Sequence, residues 1–149
     1  SKVDAIAIAP YFGVNLNAGQ IATAADMDTL FNTSLPAALE QSFTNIKEHK
    51  VNAAKYNLRL VTYEAGQHIL SPNDVEQMTR IQKDPRMGKL YTQYLTRWYN
   101  EVGDLTILFM DTYGTNSYGG WGQREYTGQP LSEAPKANAI ELFRQSYIN

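Results

Sequence analysis

The chain has 149 residues, of which 43% are hydrophobic and 19% charged, and its formal net charge is -2. This is enough chain for one globular domain with a core of its own. The near-neutral charge argues against a strongly basic nucleic-acid binder and a polybasic membrane-surface protein, and no apolar run approaches the roughly 18 residues of a membrane span. Because the chain has no cysteine, thiol catalysis, cysteine zinc sites and disulfides are excluded, whereas the cellular compartment stays open.

The first apolar run, Val3 to Phe12, is predicted to be a strand. Its odd positions carry small alanines and its even positions large isoleucines. Since successive strand residues point to opposite faces, one face is small and ends in Tyr11, and the other is bulky. After a loop rich in asparagine and glycine, apolar residues at helical spacing predict a helix over about 34–56.

Two further runs, Leu58 to Glu64 and Leu105 to Asp111, are predicted to be the second and third strands. The third is almost continuously apolar, as a strand buried on both faces is. Between them, a short helix is expected after the loop at 65–72. A longer helix is expected to start at Asp84-Pro85, where an N-cap residue precedes a proline at the first helical position. A last helix is predicted to begin near 132–135.

The order βα, βα, βα predicts an α/β fold with a parallel sheet and right-handed crossovers. The three units, 1–57, 58–103 and 104–149, belong to a single domain. A closed eight-stranded barrel typically needs ~250 residues. The chain is therefore expected to be either a small three-stranded α/β layer or part of a larger barrel.

Ligands of parallel α/β sheets bind at the carboxyl ends of the strands, so the candidate site lies there. Glu64 ends a strand, and a buried carboxylate is costly without a partner; a purely structural acceptor is the alternative. Asp111 is interpreted first as a loop cap. The two histidines lack ligand-like spacing, which predicts no metal site, and no glycine-rich phosphate motif is present.

The loop TYGTNSYGGWGQREY combines aromatic rings with polar side chains. Sugar rings present apolar C–H faces to aromatic rings, and their hydroxyls need amide and carboxylate partners, so this loop suits a saccharide site. The alternative is a flexible loop whose aromatic residues lie on the rim of the fold.

Four segments, VDAIAIAPYFG, LRLVTYEAGQH, DPRMGKLYTQYLTRWYNEVG and LTILFMDTYG with YGGWGQREY, resemble the C-terminal part of a clan A glycoside hydrolase, a cellulase-like (β/α)8 TIM barrel. The resemblance covers almost the whole chain and implies strands six, seven and eight. It places the catalytic nucleophile on Glu64, a tyrosine that orients it on Tyr11, and the sugar platform on Trp121, with Tyr113 as a competitor for that role. The residues expected to bind sugar hydroxyls are Gln67, His68 and Asn116, and no cofactor is implied.

The resemblance also implies what this chain lacks. The general acid/base of such enzymes is a glutamate on strand four, and retaining hydrolysis needs two carboxyl groups about 5–5.5 Å apart. Glu125 does not match that position and is expected to form a salt bridge at the rim. The chain is thus expected to be the C-terminal portion of a retaining β-glycoside hydrolase, inactive alone, whose partner is the missing barrel portion or a second copy in a homodimer.

Two other interpretations stay open. One is a non-catalytic carbohydrate-binding or assembly module, and the other is a stand-alone small α/β domain that binds a small molecule at its strand ends. The compartment is not predicted, although secretion as part of a longer enzyme is compatible with the composition.

Overall fold

A computed structural model describes residues 3–147 as a mixed α/β domain with short parallel strands in two small sheets. Its elements in chain order are β1 (Ala5–Ile8), β2 (Tyr11–Phe12), α1 (Ala24–Thr29), α2 (Leu35–Lys55), β3 (Arg59–Thr62), β4 (Gly66–Gln67), α3 (Val75–Lys83), α4 (Pro85–Glu101) and α5 (Pro135–Tyr147). A π-helical turn, Leu30–Ser34, precedes α2, and a 3-10 turn, Leu131–Glu133, precedes α5.

The first two predicted strands are present, but each is divided in two. β1 pairs in parallel with β3, with Ala5 opposite Arg59, and β2 pairs in parallel with β4, with Tyr11 opposite Gly66. Pro10 separates β1 from β2, because proline has no N–H to give to a ladder. The chain therefore makes two consecutive parallel steps, and the second lies at the carboxyl ends of the first.

The prediction of a third strand buried on both faces is wrong. The segment 105–109 runs beside β3, where the Thr62 amide donates to the Leu105 carbonyl at 3.1 Å. The Ile107 amide, however, donates to the Thr62 hydroxyl at 2.7 Å instead of to a main-chain carbonyl. This side-chain bond interrupts the ladder, so no regular strand forms, and Leu105 and Ile107 are 56% and 48% exposed.

The two faces of the sheet differ in burial. Leu60 and Thr62 are both buried, and Leu60 belongs to the core under the helices. Ala7 lies on the opposite, open face and is exposed. The reason is the register, which sets Ala7 opposite Val61 and therefore puts the even positions of β3 on the helix side.

The predicted helices are confirmed, and the residues that predicted the start and the end of the longest helix of the second unit act as its caps. The Asp84 side chain accepts the Arg86 amide at the start of α4, and Gly103 has a φ of 74° just after that helix ends. Large rings of α2, β2 and α4 form the centre of the core, among them Phe12, Phe43, Tyr91, Tyr94 and Trp98. Of the helices that the structure describes, none is long and apolar enough to cross a membrane.

We expect the chain to self-associate through the open face of the sheet. Tyr63, Leu105 and Ile107 are each about half exposed there, and contiguous exposed apolar surface generally marks an interface. Sedimentation equilibrium at micromolar concentration should give a dimer, and the double variant Leu105→Ser/Ile107→Ser should shift it toward monomer. A wild-type chain that stays monomeric across the concentration range would contradict this expectation.

Candidate functional site

The candidate site lies where the carboxyl ends of β1 and β3 lead into β2 and β4. Glu64 occupies the bend between β3 and β4, and Gly66 follows it with a φ of 132°. Side-chain-bearing residues rarely adopt this conformation, and a Cβ at Gly66 would lie 2.8 Å from the Tyr91 hydroxyl. Glycine thus permits the tight turn that leaves Glu64 at the strand ends.

Tyr11 and Glu64 are brought together by this turn. Burial raises the pKa of Tyr11 well above its ordinary value, and the charge of Glu64 and a hydrogen bond between the two side chains raise it further. The phenol therefore stays protonated at neutral pH and donates to the carboxylate. The Tyr11 hydroxyl thereby orients the Glu64 carboxylate at the strand ends.

Four rings form a row that starts at Tyr11, which we call the aromatic row: Tyr11, His68, Trp121 and Tyr113. Neighbouring ring centroids are 5.5, 5.7 and 6.0 Å apart along it. The Trp121 indole N–H donates to His68 Nδ1 at 3.3 Å. His68 Nδ1 is then an acceptor, so a neutral imidazole carries its proton on Nε2.

The loop after 111 returns to the site because it folds back on itself. Asn116 and Gly119 exchange two main-chain hydrogen bonds of 3.0 and 3.2 Å. The indole of Trp121 then lies across Gly119, where a Cβ would come within 2.6 Å of a ring carbon. Glycine at this position leaves room for the ring, which accounts for the return of Trp121 to the strand ends.

Two residues that were predicted to bind sugar hydroxyls, Gln67 and Asn116, use their side chains in hydrogen bonds within the protein. Gln67 is fully buried, and its amide donates to the Gly120 carbonyl at 2.8 Å and accepts the Ile69 amide at 2.9 Å. The Gln67 side chain therefore lies beneath the site with both groups of its amide bonded to main chain, and a contact between Gln67 and a ligand stays a prediction. Asn116 uses its amide within its own loop, donating to the Gly114 carbonyl and accepting the Tyr118 amide.

The other carboxylates lie at the rim. Glu125 forms the expected salt bridge, with Lys83 at 3.1 Å. Asp111 is exposed and accepts the Thr112 hydroxyl. Among residues 3–147, no group of three or more histidine, aspartate or glutamate side chains is placed to hold a metal ion.

One buried residue near the site, Lys136, was not predicted from the sequence. Lys136 is 3% exposed, and its ammonium donates to the Gly120 carbonyl at 2.6 Å. A signal was present in the sequence: a lysine in the first turn of a helix is unfavourably placed with respect to the helix dipole, and its chain neighbours, Pro135 and Ala137, are apolar. Such a lysine needs a local partner.

No protein-family model, no curated protein and no solved structure matches the chain.

We expect Glu64→Gln to lower the pKa of Tyr11, because the substitution removes the negative charge that disfavours the phenolate. The shift is measurable by NMR titration of tyrosine labelled at the ring carbon that bears the hydroxyl, with Tyr11→Phe identifying the resonance. Glu125→Gln, at the rim, serves as the matched control and should leave the Tyr11 titration unchanged. An identical Tyr11 titration in the wild type and Glu64→Gln would show that the two side chains are not in contact.

Proposed function

We propose that this chain carries the nucleophile side of a retaining β-glycoside hydrolase site that acts on a poly- or oligosaccharide. The observation that carries the proposal is the pairing of Glu64 with the protonated Tyr11 at the strand ends, at the start of the aromatic row. The proposal extends the resemblance to clan A barrels, in which β1 and β3 would correspond to strands six and seven, whereas the segment 105–111, matched to strand eight, forms no regular strand.

In the proposed reaction, the Glu64 carboxylate attacks the anomeric carbon while the bond from that carbon to the leaving oxygen breaks. A general acid protonates the leaving oxygen, and a glycosyl ester forms on Glu64. Water then attacks the same carbon, and the carboxylate is released as the water gives its proton to the conjugate base of that acid. Tyr11 donates a hydrogen bond that orients the carboxylate before attack and again as it leaves.

The aromatic row is proposed as the sugar platform. Trp121 and Tyr113 are half-buried and present ring surface to the apolar faces of a sugar. His68 is exposed, and with Nδ1 occupied by the indole, its Nε2–H is the donor left for a sugar hydroxyl.

The acid/base carboxyl group is proposed to come from polypeptide outside residues 3–147. A cavity of about 280 Å³ opens beside Tyr11, between β1 and α2, and its polar lining includes Asn45 and His49. Within the described part of the chain, β1 pairs only with β3, so its other edge is open on this side. A neighbouring polypeptide can approach Glu64 along this edge.

The proposal is tested with 2,4-dinitrophenyl 2-deoxy-2-fluoro-β-glycosides of glucose, mannose, xylose and galactose. Dinitrophenolate leaves without protonation, so the missing acid is not needed for the first step. We expect at least one reagent to add a single fluoroglycosyl group to Glu64, detected by intact mass and peptide mapping.

Two variants complete this test. Glu64→Gln should abolish labelling, and the rim variant Glu125→Gln should keep it. Labelling at another residue, or no labelling with any of the four sugars, would contradict the nucleophile assignment.

A second candidate function, saccharide binding without catalysis, rests on the aromatic row alone. It requires oligosaccharide affinity that is lost in Trp121→Ala, unchanged in Glu64→Gln, and accompanied by no covalent labelling. Isothermal titration with a panel of oligosaccharides separates the two functions.

A further inference from the structure

A buried cation lies beneath the aromatic row. Lys136, in the first turn of α5, donates from its ammonium to the Gly120 carbonyl at 2.6 Å and to Gln82 Oε1 at 2.8 Å. Both acceptors are neutral, and no carboxylate lies within ion-pair distance of Lys136 among residues 3–147. Burying an ammonium with only neutral acceptors costs free energy. This cost suggests that Lys136 has a function beyond packing.

The Gly120 carbonyl connects Lys136 to two residues of the row. It accepts a second hydrogen bond from Gln67 Nε2 at 2.8 Å. Gln67 directly precedes His68, Gly120 directly precedes Trp121, and the side chains of His68 and Trp121 are themselves bonded at 3.3 Å. One carbonyl thus fixes the main chain on both sides of the His68–Trp121 contact.

The loop backbone at Gly120 packs closely against the Gln82 side chain. A Cβ at Gly120 would lie 2.6 Å from Gln82 Cγ, so the loop backbone rests directly on the side chain that also accepts from Lys136. These contacts give a path by which a change in the strength of the Lys136 bonds could reach Trp121.

We propose that Lys136 is a positioning residue, which holds the His68–Trp121 step of the aromatic row in place and whose ionisation sets the affinity of that row for saccharide. The affinity part rests on the proposed saccharide function, whereas the positioning part does not.

The charges around Lys136 fix the direction of its pH response. Burial lowers the pKa of Lys136 to about 7, and the charge of Glu125 on the neighbouring loop opposes that shift. Glu125 is itself paired with Lys83 of α3, and Glu133 of the 3-10 turn lines the same small cavity of about 20 Å³. From α4, the neutral Gly88 contacts Pro135 at the start of α5.

An ammonium donates stronger hydrogen bonds than a neutral amine does. Above a pH of about 7 the Gly120 carbonyl is therefore held less firmly, and saccharide affinity should fall as pH rises through that value. Global stability moves the other way. The unfolded chain keeps the Lys136 proton up to about pH 10.5, so this group raises the unfolding free energy as pH rises from about 7 to 10.5, and the gain is lost again by the time pH has fallen to about 7.

The positioning part is tested without any saccharide. The chain is labelled with 5-fluorotryptophan, and Trp121→Phe assigns the two fluorine resonances. The titration uses a His68→Gln background, so that no imidazole contacts the indole. We expect the Trp121 resonance to shift with one transition near pH 7 and the buried Trp98 resonance to stay constant.

Lys136→Met in the same background keeps the side-chain length without charge or donor, and it should abolish the Trp121 transition. A Trp121 resonance that is constant from pH 5.5 to 9, or one that still titrates in Lys136→Met, would overturn the inference. If Lys136→Met fails to fold, the titration of the His68→Gln protein alone tests the inference, because a constant Trp121 resonance in it would overturn the positioning role.

The affinity part uses an oligosaccharide that the wild type binds. Lys136→Met should weaken binding about tenfold at pH 6 and remove its pH dependence, and the exposed Lys89→Met should leave both unchanged. Equal affinity of Lys136→Met and wild type at pH 6 would overturn the affinity part. A chain that binds no saccharide but shows the Trp121 transition would contradict the proposed function and leave the positioning role intact.

Discussion

The parallel register that sets Tyr11 opposite Gly66 is the constraint on which the rest of the site depends. It is enforced by close main-chain approach: the His68 amide donates to the Phe12 carbonyl at 2.7 Å, and a Cβ at Gly13 would lie 2.0 Å from the His68 carbonyl. With this register, the bend before Gly66 holds Glu64 near the Tyr11 hydroxyl, and the strand that follows puts His68 next in the row. A shift of one residue would reverse the faces and separate these groups.

The sequence predicts the helices and the first two strands well because their signals are local. Asp84-Pro85 marks a helix start by capping chemistry, and the alternation after Val3 marks a strand by its period. The third strand fails because an apolar run carries no information about its hydrogen-bond partners. The Thr62 hydroxyl takes the Ile107 amide, and only the fold shows that contact. The roles of Tyr11 and Glu64 remain proposals, although their proximity follows from strand ends that meet at one edge.

The irregular loop after 111 shows why the role of Gln67 was missed. A chain that forms no sheet must satisfy its main-chain groups by other means, and here buried side chains provide them. Gln67 and Lys136 both donate to the Gly120 carbonyl, and Gln82 accepts from Lys136. A glutamine at a strand end is typical of a ligand contact. In this fold, the Gln67 side chain instead donates to a main-chain carbonyl that would be bonded to a neighbouring strand if the loop were part of a sheet. Patterns in the sequence do not distinguish these two uses, since both need a polar group at the same place.

The open face of the sheet and the incomplete site have different requirements for a partner. A second copy related by two-fold symmetry can cover Tyr63, Leu105 and Ile107, because the same patch then meets itself. It contributes the same residues, however, and its Glu64 is already hydrogen-bonded to its own Tyr11. Self-association alone therefore covers apolar surface without completing the proposed chemistry. Under the proposed function, the general acid would come from a different polypeptide, and the open edge of β1 beside Tyr11 is where the described fold leaves space for it.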